Sequence, residues 1–293
     1  MSNNILVTGC KGQLGSEFKN IESNYPEFNF HFKDRDLDIS IKETLENFIF
    51  NKKINIILNT AAYTDVNSAE IEREKADLTN SFAVKNLVEL SEKYNCKLIH
   101  FSTDYVYNSF DEIPIKENSK ANPINYYGKS KRVGEVYVEK SISESIIIRT
   151  SWLYSFYGQN FVNTIIERAN NLNKINVVND QYGCPTHAKD LAFDTMNIIT
   201  SKLRLDFDGK IYNYSNLGFT NWSGFSKKII EYSNLKCKIF EVSTSFFKSS
   251  VRRPKYSITS KDKIISNFGL NISSWEDSLK TYLNSLKLWK MFW

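Results

Sequence analysis

Short apolar runs alternate with segments whose apolar residues recur every three or four positions, and this rhythm holds from the N-terminus to about residue 150. Ile5-Leu6-Val7 is the first run, and Phe18 and Ile21 follow at helical spacing. Phe28, Phe30 and Phe32 alternate with Asn29, His31 and Lys33, the period-two pattern of a second strand. Leu45, Phe48 and Ile49 mark a helix, 54–59 a third strand, and Phe82, Ala83, Leu87, Val88 and Leu90 another helix reaching Tyr94. Residues 97–101 and 146–148 supply two more buried strands, with a helix-compatible segment around Tyr127 between them. Strands that alternate with helices in this way pack as a parallel sheet covered on both faces.

Beyond Trp152 the rhythm changes. An aromatic loop at 154–158 precedes a helix at 161–169, a short strand at 175–178 and a helix from about 189 to 199. A strand at 211–214 is expected to rejoin the sheet. The tail reads as a helix at 222–232, a strand at 238–242 and a last helix from Trp275 toward Leu288. The pattern predicts an α/β chain: a Rossmann-type, doubly wound parallel sheet with a smaller α/β substrate-binding domain. The dinucleotide-binding part is expected over 1–150, with about 187–215 rejoining it, and the substrate-binding part over 151–186 and 216–293.

Composition narrows the class. The 293 residues are 41% hydrophobic and 24% charged, which suits a large folded core. The net charge of +5 is dispersed among 33 acidic residues, so small anionic ligands fit it and nucleic-acid binding is not expected. Cys10, Cys96, Cys184 and Cys237 form no Cys-x-x-Cys pair, and His31, His100 and His187 have no second ligand at metal spacing. The start of the chain lacks a signal-peptide pattern and no segment is apolar enough to span a bilayer, so a soluble cytoplasmic protein without a membrane partner is expected.

Three stretches carry candidate chemistry. After the first strand, Gly9, Gly12 and Gly15 give Gly-x-x-Gly-x-x-Gly before a helix, the arrangement that brings backbone N–H groups against a phosphate. About 20 residues on, where this fold reads the ribose, Asp34 suits a free 2′-hydroxyl whereas Lys33 or Arg35 suits a 2′-phosphate, so NADH and NADPH both remain open. The fourth strand ends at Ser102-Thr103-Asp104-Tyr105-Val106-Tyr107, at the edge where open parallel sheets bind ligands. Tyr127 and Lys131 stand four apart, on one face of a helix, where a cation beside a phenol favours the phenolate. Such a pair can hand a proton to a carbonyl oxygen.

With Ala61-Ala62-Tyr63-Thr64, Trp152-Leu153-Tyr154, Asp180-Gln181-x-Gly183-x-Pro185-Thr186 and Arg253-Pro254-Lys255-Tyr256-Ser257, these motifs resemble, in order along the chain, the extended short-chain dehydrogenase/reductases. More narrowly they are similar to the dTDP-4-dehydrorhamnose reductase family. The resemblance implies reduction of the C4 ketone of dTDP-4-dehydro-6-deoxy-L-mannose to dTDP-L-rhamnose with NADPH or NADH. It implies catalytic roles for Tyr127, Lys131 and Thr103. It assigns the cofactor to Gly9, Gly12, Gln13, Leu14, Gly15, Asp38, Ile39, Ala61, Ala62, Tyr63, Tyr127 and Lys131, and the dTDP-sugar to Asp104, Tyr105 and Trp152. Mg2+ is an optional further cofactor, with Glu17 one candidate ligand, but no ligand set assembles from the sequence and no metal residue is assigned. A monomer or homodimer is implied. Asp65, Asn67 and Tyr107 depart from the usual family residues, which bears on substrate preference. Two alternatives share these motifs: another sugar-nucleotide 4-ketoreductase or bifunctional epimerase/reductase, and a non-catalytic NADP-binding regulatory subunit.

Overall fold

The structure is a computed structural model that describes residues 3–110, 113–201, 211–248 and 251–292. The first half runs β1 (Asn3–Thr8), α1 (Gln13–Ile21), β2 (Phe28–Lys33), α2 (Lys42–Lys52), β3 (Ile56–Asn59), α3 (Val66–Ala69), α4 (Arg73–Asp77), a wide π-helical turn (Leu78–Phe82), α5 (Ala83–Tyr94), β4 (Lys97–Thr103), α6 (Tyr126–Lys140) and β5 (Ser145–Thr150). The second half runs β6 (Leu153–Tyr154), α7 (Phe161–Asn171), β7 (Lys174–Val178), β8 (Tyr182–Gly183), β9 (Thr186–His187), α8 (Ala188–Thr200), β10 (Ile211–Asn213), β11 (Thr220–Asn221), α9 (Trp222–Ser233), β12 (Lys238–Val242), β13 (Tyr256–Ser257), α10 (Asp262–Phe268) and α11 (Trp275–Phe292).

Six strands form the central sheet in the order β10-β5-β4-β3-β1-β2. Every neighbouring pair is parallel. The strands β1, β3, β4 and β5 are buried on both faces because helices cover both, whereas β2 at the edge alternates. On one face Ile5, Val7, Leu58, Ile99 and Ile148 pack with Phe18 of α1 and Leu191 and Met196 of α8. On the other, Leu6, Ile57, Leu98 and Ile147 pack with Leu45 of α2 and Val84 and Leu87 of α5. The chain order reverses between β1 and β3, which opens a crevice at their carboxyl ends.

The third strand begins at Ile56, two residues later than its apolar run, because the Ile54 amide closes the end of α2 on the Ile49 carbonyl. The later elements build a separate core: Val162 and Ile165 of α7, Phe225 and Ile229 of α9, and Trp275, Leu279 and Tyr282 of α11. Above it β7 pairs with β12, and β8 bridges β11 and β13. None of the helices among the described residues is long and apolar enough to cross a membrane.

Candidate active site

The glycine turn is shaped by contact with the next strand. Gly9 has φ +63°, and a Cβ there would lie 2.6 Å from the Ala61 Cα. A Cβ on Gly15 would lie 2.5 Å from the Gly9 carbonyl oxygen, so turn and helix close only with hydrogen at both positions. The N-terminus of α1 has no side-chain cap, which leaves its amides free for an anion. A cleft of about 1180 Å3 opens over this turn and runs along the carboxyl ends of β1, β3, β4 and β5.

Gly9, Gly12, Gln13, Leu14, Asp38, Ile39, Ala61, Ala62 and Tyr63 all line the cleft, whereas Gly15 packs beneath the turn. The Asp38 carboxylate is committed to its own turn, accepting from the Ser40 amide at 2.9 Å and the Ser40 hydroxyl at 2.7 Å. The Tyr63 hydroxyl donates to Glu72 at 2.6 Å. At the end of β2, Lys33 is paired with Asp36 at 2.6 Å, and Asp36 also accepts the Asp34 amide at 2.9 Å. Arg35 makes no ion pair among the described residues and lines the cleft with Asp34.

Helix α6 carries Tyr127 and Lys131 to the other end. Asn125 caps it by accepting from the Gly128 amide at 2.9 Å. A Cβ on Gly128 would stand 2.3 Å from the Tyr105 carbonyl oxygen, so the glycine lets α6 lie against the end of β4. That contact sets the Tyr127 phenol against the Thr103 hydroxyl. Lys131 is 1% exposed, and its ammonium donates to the Phe101 carbonyl at 2.7 Å.

Burial pushes the Tyr127 phenol up to about 12, with the Thr103 hydrogen bond opposing it, and pushes Lys131 down to about 8, with Glu135 opposing. The sequence-based expectation that Lys131 brings the phenol toward neutral pH is therefore not met here. The ammonium is hydrogen-bonded to Phe101, and desolvation is the largest influence on the phenol. The result is a proton donor that stays protonated across the neutral range.

Asp104 is buried, and burial pushes its carboxyl up to about 6. Its Oδ1 accepts from the Thr103 hydroxyl at 3.1 Å, while Oδ2 has no hydrogen-bond partner among the described residues. Tyr105 meets Tyr127 edge to face with ring centroids 5.8 Å apart. Trp152 takes a left-handed backbone conformation, φ +45°, that turns its indole into the cleft. There it stacks on Trp222, with centroids 3.4 Å apart and planes 5° apart.

Ser102, named at the end of the fourth strand, lines the cleft as well, and so do Trp222, Lys11 and Gln159, which were not picked out from the sequence. Trp222 starts α9 some 70 positions after Trp152, and nothing local marks it as a site residue. Glu17, the candidate metal ligand, is fully buried and accepts from the Ser155 hydroxyl at 2.7 Å. It faces the protein interior, and among the described residues no group of three or more His, Cys, Asp and Glu is placed to hold a metal.

The family model described as "RmlD substrate binding domain" matches residues 3–288. A dTDP-4-dehydrorhamnose reductase from Sinorhizobium fredii is 33% identical over 292 residues, which cover 97% of this chain and 98% of that one. The chain belongs to the dTDP-4-dehydrorhamnose reductase family. A second relative, the spore coat polysaccharide biosynthesis protein SpsK of Bacillus subtilis, is 33% identical over 95% of this chain and 96% of its own. Among solved structures, the dTDP-4-dehydrorhamnose reductase of Bacillus anthracis in complex with NADP superposes with a TM-score of 0.92 at 35% identity, covering 97% of this chain and 100% of that one. The family fold thus extends over both the sheet and the later core.

Proposed function

We propose that this chain reduces the C4 ketone of dTDP-4-dehydro-6-deoxy-L-mannose to dTDP-L-rhamnose with NADPH or NADH. The observation that carries the reading is the buried Tyr127 phenol beside the Thr103 hydroxyl and Lys131, at the end of a cleft that begins on an uncapped glycine turn. Full-length similarity to reductases named for this reaction supports the substrate, and the relative that holds NADP supports the cofactor.

The residues fit a dinucleotide. A side chain at Gly9 or Gly15 would strike the backbone that shapes the turn, the α1 amides are free, and the buried Gln13 Oε1 lacks a partner among the described residues. Gly9, Gly12, Gln13 and Leu14 hold the pyrophosphate, Gly15 keeps the turn closed, Asp38 and Ile39 border the adenine, and Ala61, Ala62 and Tyr63 flank the chain between. When bound, the nicotinamide supplies hydride to C4. Tyr127 gives its proton to O4 as charge develops there, and Thr103 donates a hydrogen bond to the same oxygen. Lys131 holds the nicotinamide ribose and places a positive charge beside the phenol. Asp104, Tyr105 and Trp152 hold the sugar nucleotide.

In this reading residues 1–150, with 187–215, bind the dinucleotide, and 151–186 with 216–293 bind the substrate; 202–210 lie outside the described residues. The protein works in the cytoplasm as a monomer or homodimer, without nucleic acid. Product analysis tests the reading: with NADPH and the keto sugar the protein should yield dTDP-L-rhamnose by mass and NMR, and an unchanged ketone would contradict it.

A further inference from the structure

The loop of residues 251–255, which leads into β13, joins the later elements to the start of α6. At its far end the Tyr182 amide of β8 donates to the Lys255 carbonyl at 2.8 Å, and β13 pairs in parallel with β8. Its middle is fastened to the first half of the chain. Asn125, the cap of α6, donates from Nδ2 to the Arg252 carbonyl at 3.0 Å. Arg253 donates to Asn67 Oδ1 of α3 at 2.9 Å, and its guanidinium also hydrogen-bonds the Tyr105 phenol just beyond β4. Asn67, Asn125, Arg252 and Arg253 all lie outside the cleft lining.

Asn125 is 2% exposed, and both halves of its amide are engaged. Oδ1 accepts from the Gly128 amide at 2.9 Å while Nδ2 reaches Arg252. Each partner is a backbone group of fixed polarity, an N–H that only donates and a carbonyl that only accepts. They dictate which way the amide points. A helix cap needs one acceptor oxygen, so serine and aspartate cap about as well as asparagine. The amide alone among these caps and donates at once. Gly128, whose N–H meets the cap, is also the residue packed on the Tyr105 carbonyl oxygen. The two anchors of the loop, at Asn125 and at Tyr105, therefore meet at one contact between α6 and β4.

We propose that Asn125 is a positioning residue that latches residues 251–255 onto α6 and so holds the substrate side of the cleft in register with Tyr127. Tyr127 follows Asn125 by two positions on the chain, and the loop carries Arg253 to Tyr105, which meets the Tyr127 ring. The glycine turn, Asp38 and Ile39 belong to the other half of the cleft, and the latch makes no contact with them. Its consequence for turnover rests on the reductase reading above; the latch itself does not.

Trypsin tests the latch on the full folded chain without turnover. The Arg252–Arg253 bond lies within the loop, and the next bond, before Pro254, resists the protease. Cleavage of a folded chain follows the population of locally open loop. Asn125→Ser and Asn125→Asp keep a cap oxygen and remove the donor, and Asn125→Ser decides alone should the buried carboxylate of the other prevent folding. Both should be cut after Arg252 about tenfold faster than the wild type, with the urea midpoint nearly unchanged. Equal rates after Arg252 in wild type and variants overturn the proposal. So does faster cutting at every site together, which would make Asn125 a structural cap and nothing more.

A second readout is kinetic. Both variants should raise KM for the keto sugar about tenfold, with kcat lowered less than about threefold and the affinity for NADPH within about twofold. A loss confined to kcat, or shared equally by sugar and NADPH, overturns the positioning role. If the wild type oxidises no NADPH, the reductase reading fails, while the tryptic rates still decide the latch.

Discussion

Glu135 grips Arg149 with both carboxylate oxygens, each 2.7 Å from a guanidinium nitrogen, and the two side chains are 0% and 2% exposed. The pair ties α6 to β5, and the remaining Arg149 nitrogen donates to the Tyr107 hydroxyl at 2.6 Å, which in turn donates to Asn213 of β10 at 3.0 Å. Tyr127 and Lys131 sit on the same helix as Glu135. Their placement at the end of β4 therefore depends on an ion pair that never meets substrate.

Removing one partner of such a pair strands the other charge in the core. Glu135→Ala should destabilise the fold by about 3–5 kcal/mol, read as a lower urea midpoint at unchanged slope. A loss below about 1 kcal/mol would mean that water or Arg132 compensates and that the pair does not hold α6 in place.

Trp152 is confined on two sides. Trp222 covers one face of its indole, and a Cβ on Gly183 would come within 2.6 Å of its ring. If Trp152 holds the sugar nucleotide, Trp222→Ala should loosen it and raise KM for the keto sugar about tenfold, while the affinity for NADPH stays within about twofold. A rise confined to the cofactor would place Trp222 in the dinucleotide half of the cleft instead.

At the end of β2, Lys33 is already engaged by Asp36, so Arg35 is the cation available to a 2′-phosphate. Arg35→Ala should weaken NADPH binding about tenfold and leave NADH nearly unchanged, as followed by nicotinamide fluorescence. Equal weakening of both cofactors would exclude Arg35 as the reader of that position.

Asp104 gives stability a pH signature. Its carboxyl is raised to about 6 in the folded chain, so between about pH 4 and about pH 6 the folded state binds more protons than the unfolded one. The stabilisation is complete below the unfolded pKa and is lost as pH rises through the folded one, on the order of 3 kcal/mol in all. Asp104→Asn should lack this fall. Chemical denaturation of both proteins across that window should show the variant gaining on the wild type as pH rises, and parallel curves would contradict it.

Much of this site is written locally. The strands β1, β3, β4 and β5 are legible because both of their faces are buried, and the Tyr127/Lys131 pair because helical spacing alone puts both on one face. Gly9, Gly12 and Gly15 announce their turn by spacing, though that Gly15 packs under it depends on the close approach of Gly9. What stayed hidden depends on distant partners. The two-residue strands β6, β8, β9, β11 and β13 have no period to read and exist through pairing across the chain. Trp222 becomes part of the cleft only when α9 folds onto Trp152. His100 reads as one more strand residue until the register sets it beside Asn59 and under Lys131. The depressed pKa assumed for Tyr127 gave way to desolvation, which depends on how deeply α6 is buried.

The most direct test of the proposed reaction follows NADPH oxidation at the nicotinamide absorbance, with dTDP-4-dehydro-6-deoxy-L-mannose generated in place by its upstream enzymes. Oxidation that begins only when the 3,5-epimerase is present, and that Tyr127→Phe lowers by about a thousandfold with cofactor affinity retained, is the predicted result. Oxidation without the epimerase would point to a bifunctional enzyme or another keto-sugar reductase. Tight NADPH binding with no sugar-dependent oxidation at all would contradict the reductase reading and leave a cofactor-binding regulatory subunit.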